Sequence, residues 1–509
     1  MNKIFKLDIS ANPSTLDPQQ ANDPISDTII GNVFLGLTRT AEDGSVEDGA
    51  AYEYSVSEDG LVYDFKLRED IYWVSVDGFE AQCTAQDFVF GFRRLFVSQT
   101  QAARASEYYC IKNSEKYRDN TLISLGVAAK GDFELEITLE TPNPRFLELL
   151  SEPPAMPCNE EFFRSTQGKY GLSAKCTPSN GSFYVRSWHY EPRPTADVNN
   201  LILSRNYKNA EPLGVCPSGL NFFIRNESRH ITNFNDGSTH CIALSNDDKD
   251  RVKGKNNVEE FSNISCGLVF NRNFTPFQND DFRKAMTLLV DREEISMAIP
   301  DFELASGVVP DHVSVGGQSY RASVGGACEI PEYDPDLAAE LFRGTRSQLD
   351  LSLFTGARVI VCSAASRTVV SYILQEWQRL FGFYCTIETL NETDFKTRLK
   401  NGSYEVAVLE LSGKYNSPAA YLEQFASDSS DNYGRFYDDA YDELIDSADT
   451  AAEADESAEF YKQAEQYLID NSAFLPIFFK NEYFFTDKDS VDIVYNPFSK
   501  TIDFTKAKG

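Results

Sequence analysis

The stretch of sequence that most constrains the fold is residues 359–390. It reads VIVCSAASRTVVSYILQEWQRLFGFYCTIETL, which is the pattern of a strand, a serine-rich turn, a helix and a second strand. A unit of this kind joins parallel strands through a crossover helix, so it predicts an α/β sheet. Ligands of such sheets bind beyond the carboxyl ends of the strands, and the turn at 363–366 is therefore a candidate binding region.

The rest of the chain mixes short strands and helices without a periodic repeat, and its 509 residues predict two to four domains. Alternating apolar residues at 61–68 and 133–140 predict half-buried strands. Thr84 followed by Asp87 predicts a capped helix with an apolar stripe.

Three further segments give expectations about the second half of the chain. Residues 279–296 predict one amphipathic helix, and residues 302–333, rich in Gly and Ser, predict a long surface connection. The acid-rich stretch 437–479 predicts a pair of helices followed by a buried strand.

The charge balance excludes several classes of partner. A net charge of -31 argues against nucleic-acid binding, which needs a basic face, and against docking on anionic lipid. No run approaches the roughly 20 apolar residues of a membrane span, and the N-terminus shows no apolar signal region. Composition alone therefore leaves two locations open: the cytosol, or a compartment reached through a targeting segment that is absent from this sequence.

The sequence offers little support for catalysis or for a metal. It contains no GxSxG, Walker A, GxGxxG or HExxH pattern. His230 and His240 are ten residues apart across a loop-like stretch, which disfavours a shared metal, and no CxxC pair indicates structural zinc. We therefore predict no cofactor and no metal. Of the ten cysteines, we expect several to be buried thiols and a minority to form disulfides.

One set of motifs near the N-terminus is specific. In order along the chain these are Leu16-Asp17-Pro18, Asn32 to Leu37, Gly49 to Ala51, Phe65 to Arg68, Trp73 and Thr84 to Phe88. Their order resembles the signature of the extracellular solute-binding proteins of family 5, the oligopeptide- and dipeptide-binding components of ABC importers. The likeness continues through 271–295 and 437–479, so it covers nearly the whole chain.

This resemblance implies a fold and a division into domains. The fold is α/β and periplasmic-binding-protein-like type II, with two lobes of mixed sheets around a cleft and an extra domain on lobe one. Carried over, lobe one comprises 1–37, 157–262 and 481–509, the extra α+β domain is 38–156, and lobe two is 263–480.

The resemblance also implies a function. It indicates an extracytoplasmic protein, periplasmic or a cell-surface lipoprotein whose signal segment is absent here. It would capture a peptide-like ligand in the interlobe cleft and deliver it to ABC transporter permease subunits. We expect a monomer that is not an enzyme and binds no nucleic acid. Alternatives are a receptor for a non-peptide or acidic solute, a sensor or scavenger without a transporter, and an enzyme on the same cleft, which the lack of a nucleophile–base pattern disfavours.

Two segments match the ligand-lining positions of the family. In lobe one they are Asn22, Asp23 and Pro24, and in lobe two they are Leu411, Ser412, Gly413, Lys414, Tyr415 and Asn416. Where Lys414 stands, the oligopeptide-binding relatives carry an aspartate that pairs with the amino terminus of the peptide, and a cation would repel that group.

Lys414 and Arg367 each leave alternatives open. Lys414 follows an apolar strand, so we expect it to have lost much of its water. It either binds an acidic group of the ligand, pairs with Glu392, Glu410 or Asp23, or extends to solvent. Arg367, after the serine-rich turn, either grips a ligand carboxylate with two hydrogen bonds or is an ordinary surface arginine.

Overall fold

The computed structural model of the protein describes residues 3–41, 45–192, 198–246, 248–451 and 453–509. The chain divides into two units. Unit 1 consists of the residues up to Glu260 together with Tyr483–Gly509, and unit 2 is Phe261–Glu482. The chain changes unit twice, and both changes fall within a strand, Asn256–Phe270 in the first case and Leu475–Asp487 in the second.

Helices occur in both units, and the two longest, of 18 and 17 residues, lie in unit 2. The helices are α1 Pro24–Val33, α2 Ala85–Phe96, α3 Ser114–Asp119, α4 Phe146–Leu149, α5 Glu160–Ser165, α6 His230–Asn235, α7 Asp280–Thr287, α8 Arg292–Ala298, α9 Tyr320–Ser323, α10 Pro335–Thr345, α11 Ala364–Phe381, α12 Glu392–Lys400, α13 Ala419–Leu422, α14 Asp439–Thr450 and α15 Ala454–Asp470.

The strands occur along the whole chain. They are β1 Ile4–Ile9, β2 Thr38–Thr40, β3 Val46–Asp48, β4 Ala51–Val56, β5 Val62–Leu67, β6 Tyr72–Val74, β7 Glu80–Gln82, β8 Val127–Gly131, β9 Glu134–Thr138, β10 Phe183–His189, β11 Asn200–Arg205, β12 Gly219–Ile224, β13 Cys241–Ser245, β14 Asn256–Phe270, β15 Glu303–Leu304, β16 Ser314–Val315, β17 Gln318–Ser319, β18 Arg358–Val361, β19 Thr386–Thr389, β20 Val406–Ser412, β21 Leu475–Asp487, β22 Val494–Asn496 and β23 Thr501–Asp503.

Unit 1 contains two four-stranded sheets. The first has the order β1-β12-β11-β10, in which β1 and β12 run parallel and the other pairs antiparallel. The second, β4-β5-β9-β8, is antiparallel throughout and uses the two predicted alternating segments as its central strands. Helix α2 begins with the predicted capping box of Thr84 and Asp87, and buries Phe88, Phe92 and Leu95. The local sequence patterns therefore predict these elements correctly.

Unit 2 is built on a mixed sheet whose strands follow the order β21-β14-β20-β18-β19. Strand β14 pairs antiparallel with β20, whereas β18 runs parallel to both β20 and β19. The predicted strand–helix–strand unit is confirmed as β18, α11 and β19. Helix α11 buries Trp377, whose indole N–H donates to the Met286 carbonyl at 3.0 Å. The serine-rich turn therefore lies at the carboxyl end of β18, beside the end of β20.

The prediction of one helix over 279–296 is wrong. The structure has two helices, α7 and α8, with Leu288 to Asp291 between them. The Asp291 side chain accepts a hydrogen bond from the Glu294 N–H at 2.9 Å and so caps the second helix. An N-cap residue has extended rather than helical backbone, which is why the apolar periodicity does not continue as a single helix.

The prediction that 302–333 is a surface connection is also wrong. Tyr320 is fully buried, and Arg321 forms a buried ion pair with Glu465 on α15. The same carboxylate accepts from the Tyr320 hydroxyl at 2.9 Å and from the Val309 N–H at 2.8 Å. This segment is part of the core of unit 2 because a partner far along the chain satisfies its polar groups.

The cysteines differ from expectation in one respect. Five of them, Cys83, Cys158, Cys241, Cys266 and Cys385, are buried as predicted, but none of the ten, which all lie among the described residues, forms a disulfide. The predicted minority of disulfides is therefore wrong, and the buried cysteines act as small apolar residues.

Candidate functional site

The Leu411–Asn416 segment lies where β20 ends in unit 2. Val406 and Val408 lie in the buried cluster around Trp377, and Leu411 is also buried. At Gly413 an added Cβ would lie 2.7 Å from the ring of Tyr421, so only glycine fits there. Strand β20 ends at Ser412, and beyond Gly413 the chain is bent from Lys414 to Ser417.

Lys414 is exposed, which contradicts the expectation that it has lost its water. Its side chain is 83% exposed, and its Nζ lies 3.8 Å from Asp431 Oδ2. Glu392 and Glu410, two of the predicted partners, contact Lys396 at 2.6 Å and Lys480 at 3.1 Å instead. The predicted burial fails because Lys414 lies beyond the end of β20, in the bent segment 414–417, whereas contact of Lys414 with a ligand stays a prediction.

The other residues of this segment hold its conformation. Ser412 is exposed and its carbonyl accepts from the Gln424 side chain at 3.3 Å. The Tyr415 hydroxyl donates to Glu423 at 2.9 Å, and the Asn416 side-chain oxygen accepts from the Ser314 N–H at 2.9 Å. The segment is thus fixed by side-chain contacts while Ser412 and Lys414 remain accessible.

Arg367 lies in the first turn of α11 and is exposed. Its Nη1 donates to Thr389 Oγ1, at the end of β19, at 2.9 Å. Because only one terminal nitrogen is used in this contact, the geometry leaves the guanidinium able to bind a carboxylate. That role stays a prediction.

A buried polar cluster lies beside the predicted site residues of unit 2, namely Arg367 and the Leu411–Asn416 segment. Lys480 on β21 is 5% exposed and contacts Glu410 Oε2 on β20 at 3.1 Å. Ser366 in the first turn of α11 donates to Glu410 Oε1 at 3.4 Å, and the hydroxyl of the N-cap residue Ser363 lies 2.9 Å from that of Ser366. We call Ser363, Ser366, Glu410 and Lys480 the Glu410 cluster. The cluster places two charged groups, Glu410 and Lys480, at the carboxyl edge of the sheet, next to the apolar core of unit 2.

The electrostatics of the Glu410 cluster affect the nearby thiol of Cys362. Burial, reinforced by the negative charge of Glu410, raises the pKa of the Cys362 thiol to about 12. The thiol is therefore protonated at neutral pH, and it lacks the thiolate character that a nucleophilic cysteine requires.

Two hydroxyls on β14 add to this polar surface. Ser262 and Ser265 are 6% and 0% exposed, and their Oγ atoms have no hydrogen-bond partner among the described residues. Ser265 lies directly opposite Leu411 in the β14–β20 ladder. Buried hydroxyls are normally paired, so these two are exceptions among the buried polar groups of unit 2.

Sequence reasoning missed Lys480 and the two β14 serines as functional candidates. The signal for Lys480 was present, because it is a single lysine within the otherwise apolar run LPIFF–K–NEYFF of a predicted buried strand. Ser262 and Ser265 lie in FSNISCG, where polar residues interrupt a strand whose pairing partners are more than a hundred residues away.

The predicted positions in unit 1 lie at the start of α1. Asp23 is the N-cap, and its carboxylate accepts from the Ser26 N–H at 2.8 Å and from the Ser14 and Ser26 hydroxyls at 2.7 Å each. Pro24 occupies the first helical position, where a missing N–H costs nothing, and Asn22 is exposed. Asp23 therefore has a structural task in addition to the ligand contact that was predicted for it.

The described residues offer no arrangement for a metal ion. Within them, no group of three or more His, Cys, Asp or Glu side chains is positioned as a ligand set. His240 Nδ1 accepts from the Lys6 N–H at 2.9 Å, and His230 Nε2 lies 3.1 Å from the Arg225 carbonyl. In the described part of the chain, no helix combines the length and apolar character needed to cross a membrane.

Comparison with known proteins shows the family to which this chain belongs. The sequence model of the bacterial extracellular solute-binding proteins, family 5 Middle, matches residues 45–433. The chain belongs to this family of solute-binding proteins, and the predicted family and its periplasmic-binding-protein-like α/β fold are confirmed.

Individual relatives are similar over almost their full length. The dipeptide-binding protein DppE of Bacillus subtilis (strain 168) is 24% identical over 505 residues, covering 97% of this chain and 90% of the relative. The dipeptide-binding protein of Lactococcus lactis subsp. cremoris (strain MG1363) is 26% identical over 509 residues, covering 94% and 89%. The structure of Listeria monocytogenes OppA bound to peptide superposes with a TM-score of 0.71 at 20% identity, covering 100% of this chain and 99% of that one.

Proposed function

We propose that this protein captures a peptide or peptide-like ligand and delivers it to an ABC importer. The observation that carries the proposal is the Glu410 cluster, a buried set of charged and hydroxyl groups at the carboxyl edge of the unit 2 sheet, in a chain that belongs to a solute-binding family. Two relatives named for dipeptide binding over nearly the whole chain support the peptide class.

The local geometry suits a ligand with a polar backbone. Ser412 and Lys414 are accessible at the end of β20, and Ser262 and Ser265 carry buried hydroxyls without partners among the described residues. An extended peptide offers alternating N–H and C=O groups, which can satisfy such donors and acceptors. We assign the ligand contacts to Asn22, Asp23 and Pro24 in unit 1, and to Arg367 and Leu411 to Asn416 in unit 2.

The remaining parts of the proposal concern partners and location. The protein acts outside the cytoplasmic membrane as a monomer, hands its ligand to permease subunits, and binds no nucleic acid; its net charge of -31 supports the last statement. It acts as a binding protein and not as an enzyme, a statement that the membership of the chain in a solute-binding family supports. We also propose the division into lobe one, an extra domain at 38–156 and lobe two, because the chain belongs to this family.

Thermal unfolding in the presence of pooled di- to pentapeptides tests the proposal. Ligand at 100 times its dissociation constant stabilises the folded state by about 2.7 kcal/mol, which gives a clear rise in melting temperature. We expect at least one peptide pool to produce that rise. If free and N-acetylated peptides leave the melting temperature unchanged while bile acids or other non-peptide solutes raise it, the peptide class is wrong.

Lys414→Ala tests the most accessible of the assigned contacts. For a peptide found in the screen, we expect the dissociation constant to rise about tenfold, as loss of one charge-assisted hydrogen bond would predict. Lys396→Ala is the matched control, since Lys396 is also an exposed lysine of unit 2 in an ion pair. Equal affinities of the Lys414→Ala variant and the wild type would remove Lys414 from the binding site.

A further inference from the structure

Asp27 in unit 1 has surroundings that the proposed ligand contacts leave unexplained. It lies in the first turn of α1 and is 8% exposed. Its Oδ2 lies 3.5 Å from Arg104 Nη1, whereas its Oδ1 is buried without a hydrogen-bond partner among the described residues. Buried carboxylate oxygens are almost always satisfied, so this oxygen is positioned for a donor that the chain does not supply.

The charges around Asp27 do not balance. Arg104 also contacts Glu107 at 2.9 Å and Glu152 at 3.5 Å, so one guanidinium faces three carboxylates. Burial raises the pKa of Asp27 to about 7, and burial likewise raises the pKa of Glu152. Both changes have the same physical origin, namely carboxyl groups that are withdrawn from bulk water with too little positive charge nearby.

Asp27 and Glu152 also line a pocket in unit 1 with a volume of about 100 Å³. Helix α1, strand β2, residues 151–156 and the β22–β23 hairpin form its walls. Arg39 and Asp503, on the same wall, neutralise each other in an ion pair. The pocket also offers hydroxyl groups from Thr28, Ser151 and Thr501. It is therefore a polar site with surplus negative charge and with room for a small polar group.

We propose that this pocket, the Asp27 pocket, binds an ammonium group carried by the ligand of the protein, with Asp27 and Glu152 as acceptors. The inference rests on the proposed function, because it assigns a chemical group of that ligand to a place in unit 1.

An ammonium group fits the Asp27 pocket better than other cations. It is compact and presents three N–H donors, whereas a guanidinium is a larger planar fork. Calcium requires six to eight oxygen ligands, and the described residues contain no such set of acidic side chains. Asp27 lies one helical turn beyond Asp23, at the start of the helix that was predicted to contact the ligand. In unit 2 the exposed Lys414 offers no acceptor for a cation.

Methylammonium chloride is the simplest probe of the pocket. Thermal unfolding of the full chain should show a saturable rise in melting temperature with methylammonium at pH 8. Tetramethylammonium at equal ionic strength has no N–H to donate and should have no such effect. The affinity should fall about tenfold from pH 8 to pH 6, because only ionised Asp27 accepts the cation. The groups that face Asp27 and set this titration are Arg104, Glu107, Glu152 and Asp23.

Three variants separate a binding site from a general effect of charge. Asp27→Asn should abolish the methylammonium response, and Glu152→Gln should weaken it at least threefold. Asp8→Asn is the control, since Asp8 is an equally buried carboxylate of unit 1 whose two oxygens contact Arg225 at 3.0 Å and Asn233 at 2.5 Å. The proposal is refuted if both cations act equally, or if Asp27→Asn and Glu152→Gln respond like the wild type.

Peptide titrations identify the source of the ammonium group. Trialanine carries it at the amino terminus, N-acetyl-Ala-Lys-Ala carries it on a side chain, and N-acetyl-trialanine lacks it. Whichever of the first two binds should lose at least tenfold in affinity with Asp27→Asn. Peptides that bind both proteins equally would overturn this inference and leave the peptide function intact. If no peptide binds while methylammonium still requires Asp27, the pocket stands and the peptide function falls.

Discussion

Asp27→Asn should stabilise the protein at pH 8 and have almost no effect at pH 4. The carboxyl group of Asp27 is buried, and its Oδ1 has no hydrogen-bond partner among the described residues. Burial therefore raises the pKa of Asp27 to about 7 from its ordinary 3.8. An asparagine has nearly the same shape and carries no charge, so it removes the cost of an ionised group at this position.

The direction of the pH dependence follows from this raised pKa. Well below pH 3.8 the carboxyl is protonated in both the folded and the unfolded chain, and it costs nothing. Between pH 4 and pH 7 folding takes up a proton, so the free energy of unfolding falls as the pH rises. Above pH 7 the full cost is present, and a change of pKa from 3.8 to about 7 corresponds to roughly 4 kcal/mol.

The gain in the variant should be smaller than this figure, because the substitution also weakens the 3.5 Å ion pair with Arg104. We therefore expect about 2 to 3 kcal/mol at pH 8. Differential scanning calorimetry at pH 4, 6 and 8 measures it as a rise of a few degrees in the transition of unit 1, at about 2 °C per kcal/mol. Calorimetry is preferable to a single-probe melt because a chain of two units need not unfold in one step.

Asp8→Asn again serves as the control for this prediction. Both Asp8 oxygens have partners, so its substitution should destabilise the protein at pH 8 rather than stabilise it. The reasoning is refuted if Asp27→Asn destabilises the protein at pH 8 as much as Asp8→Asn does, or if its effect is the same at pH 4 and pH 8.

Two further predictions concern the packing of each unit. Lys480→Met should destabilise unit 2 by about 3 kcal/mol because it leaves the Glu410 carboxylate without the lysine, and adding Glu410→Leu should restore most of the loss. Calorimetric stability of the single and double variants checks this, and equal stability of the two would contradict it. Gly171→Ala should cost at least about 2 kcal/mol, since its φ is +75° and an added Cβ would lie 2.2 Å from the Asp17 nitrogen. Gly168→Ala, with a φ of +83° and open space around it, should cost only about 1 kcal/mol, and similar losses at both glycines would disprove the steric argument.

The sequence predicts this fold well where the determinants are local. The capping box of Thr84 and Asp87 and the β18–α11–β19 unit depend on neighbouring residues, and both are correct. The family motifs also predict the overall fold class, which the comparisons confirm. The failures occur where a distant partner decides the outcome, as when Glu465 draws Tyr320 and Arg321 into the core of unit 2.

The candidate site shows the same division. The carboxyl edge of the unit 2 sheet could be identified from the strand–turn–helix pattern, since that pattern places Ser363 and Ser366 there. The sequence left the exposure of Lys414 open, because that exposure depends on where β20 ends and on the packing of Tyr421 against Gly413. Asp27 gave no signal in the sequence, since an acidic residue in the first turn of a helix is ordinary. Only the arrangement of Arg104 and Glu152, from distant parts of the chain, makes it unusual.

The identity of the ligand that the native protein carries decides whether this protein is a peptide receptor. Native mass spectrometry of freshly purified protein gives the mass of any bound molecule, and tandem mass spectrometry of the material released on unfolding identifies it. We predict one short peptide bound per chain, or one taken up from a peptide pool by protein that was emptied by unfolding and refolding. A non-peptide solute found in repeated preparations, together with no peptide uptake by the emptied protein, would contradict the proposal that this protein captures peptides.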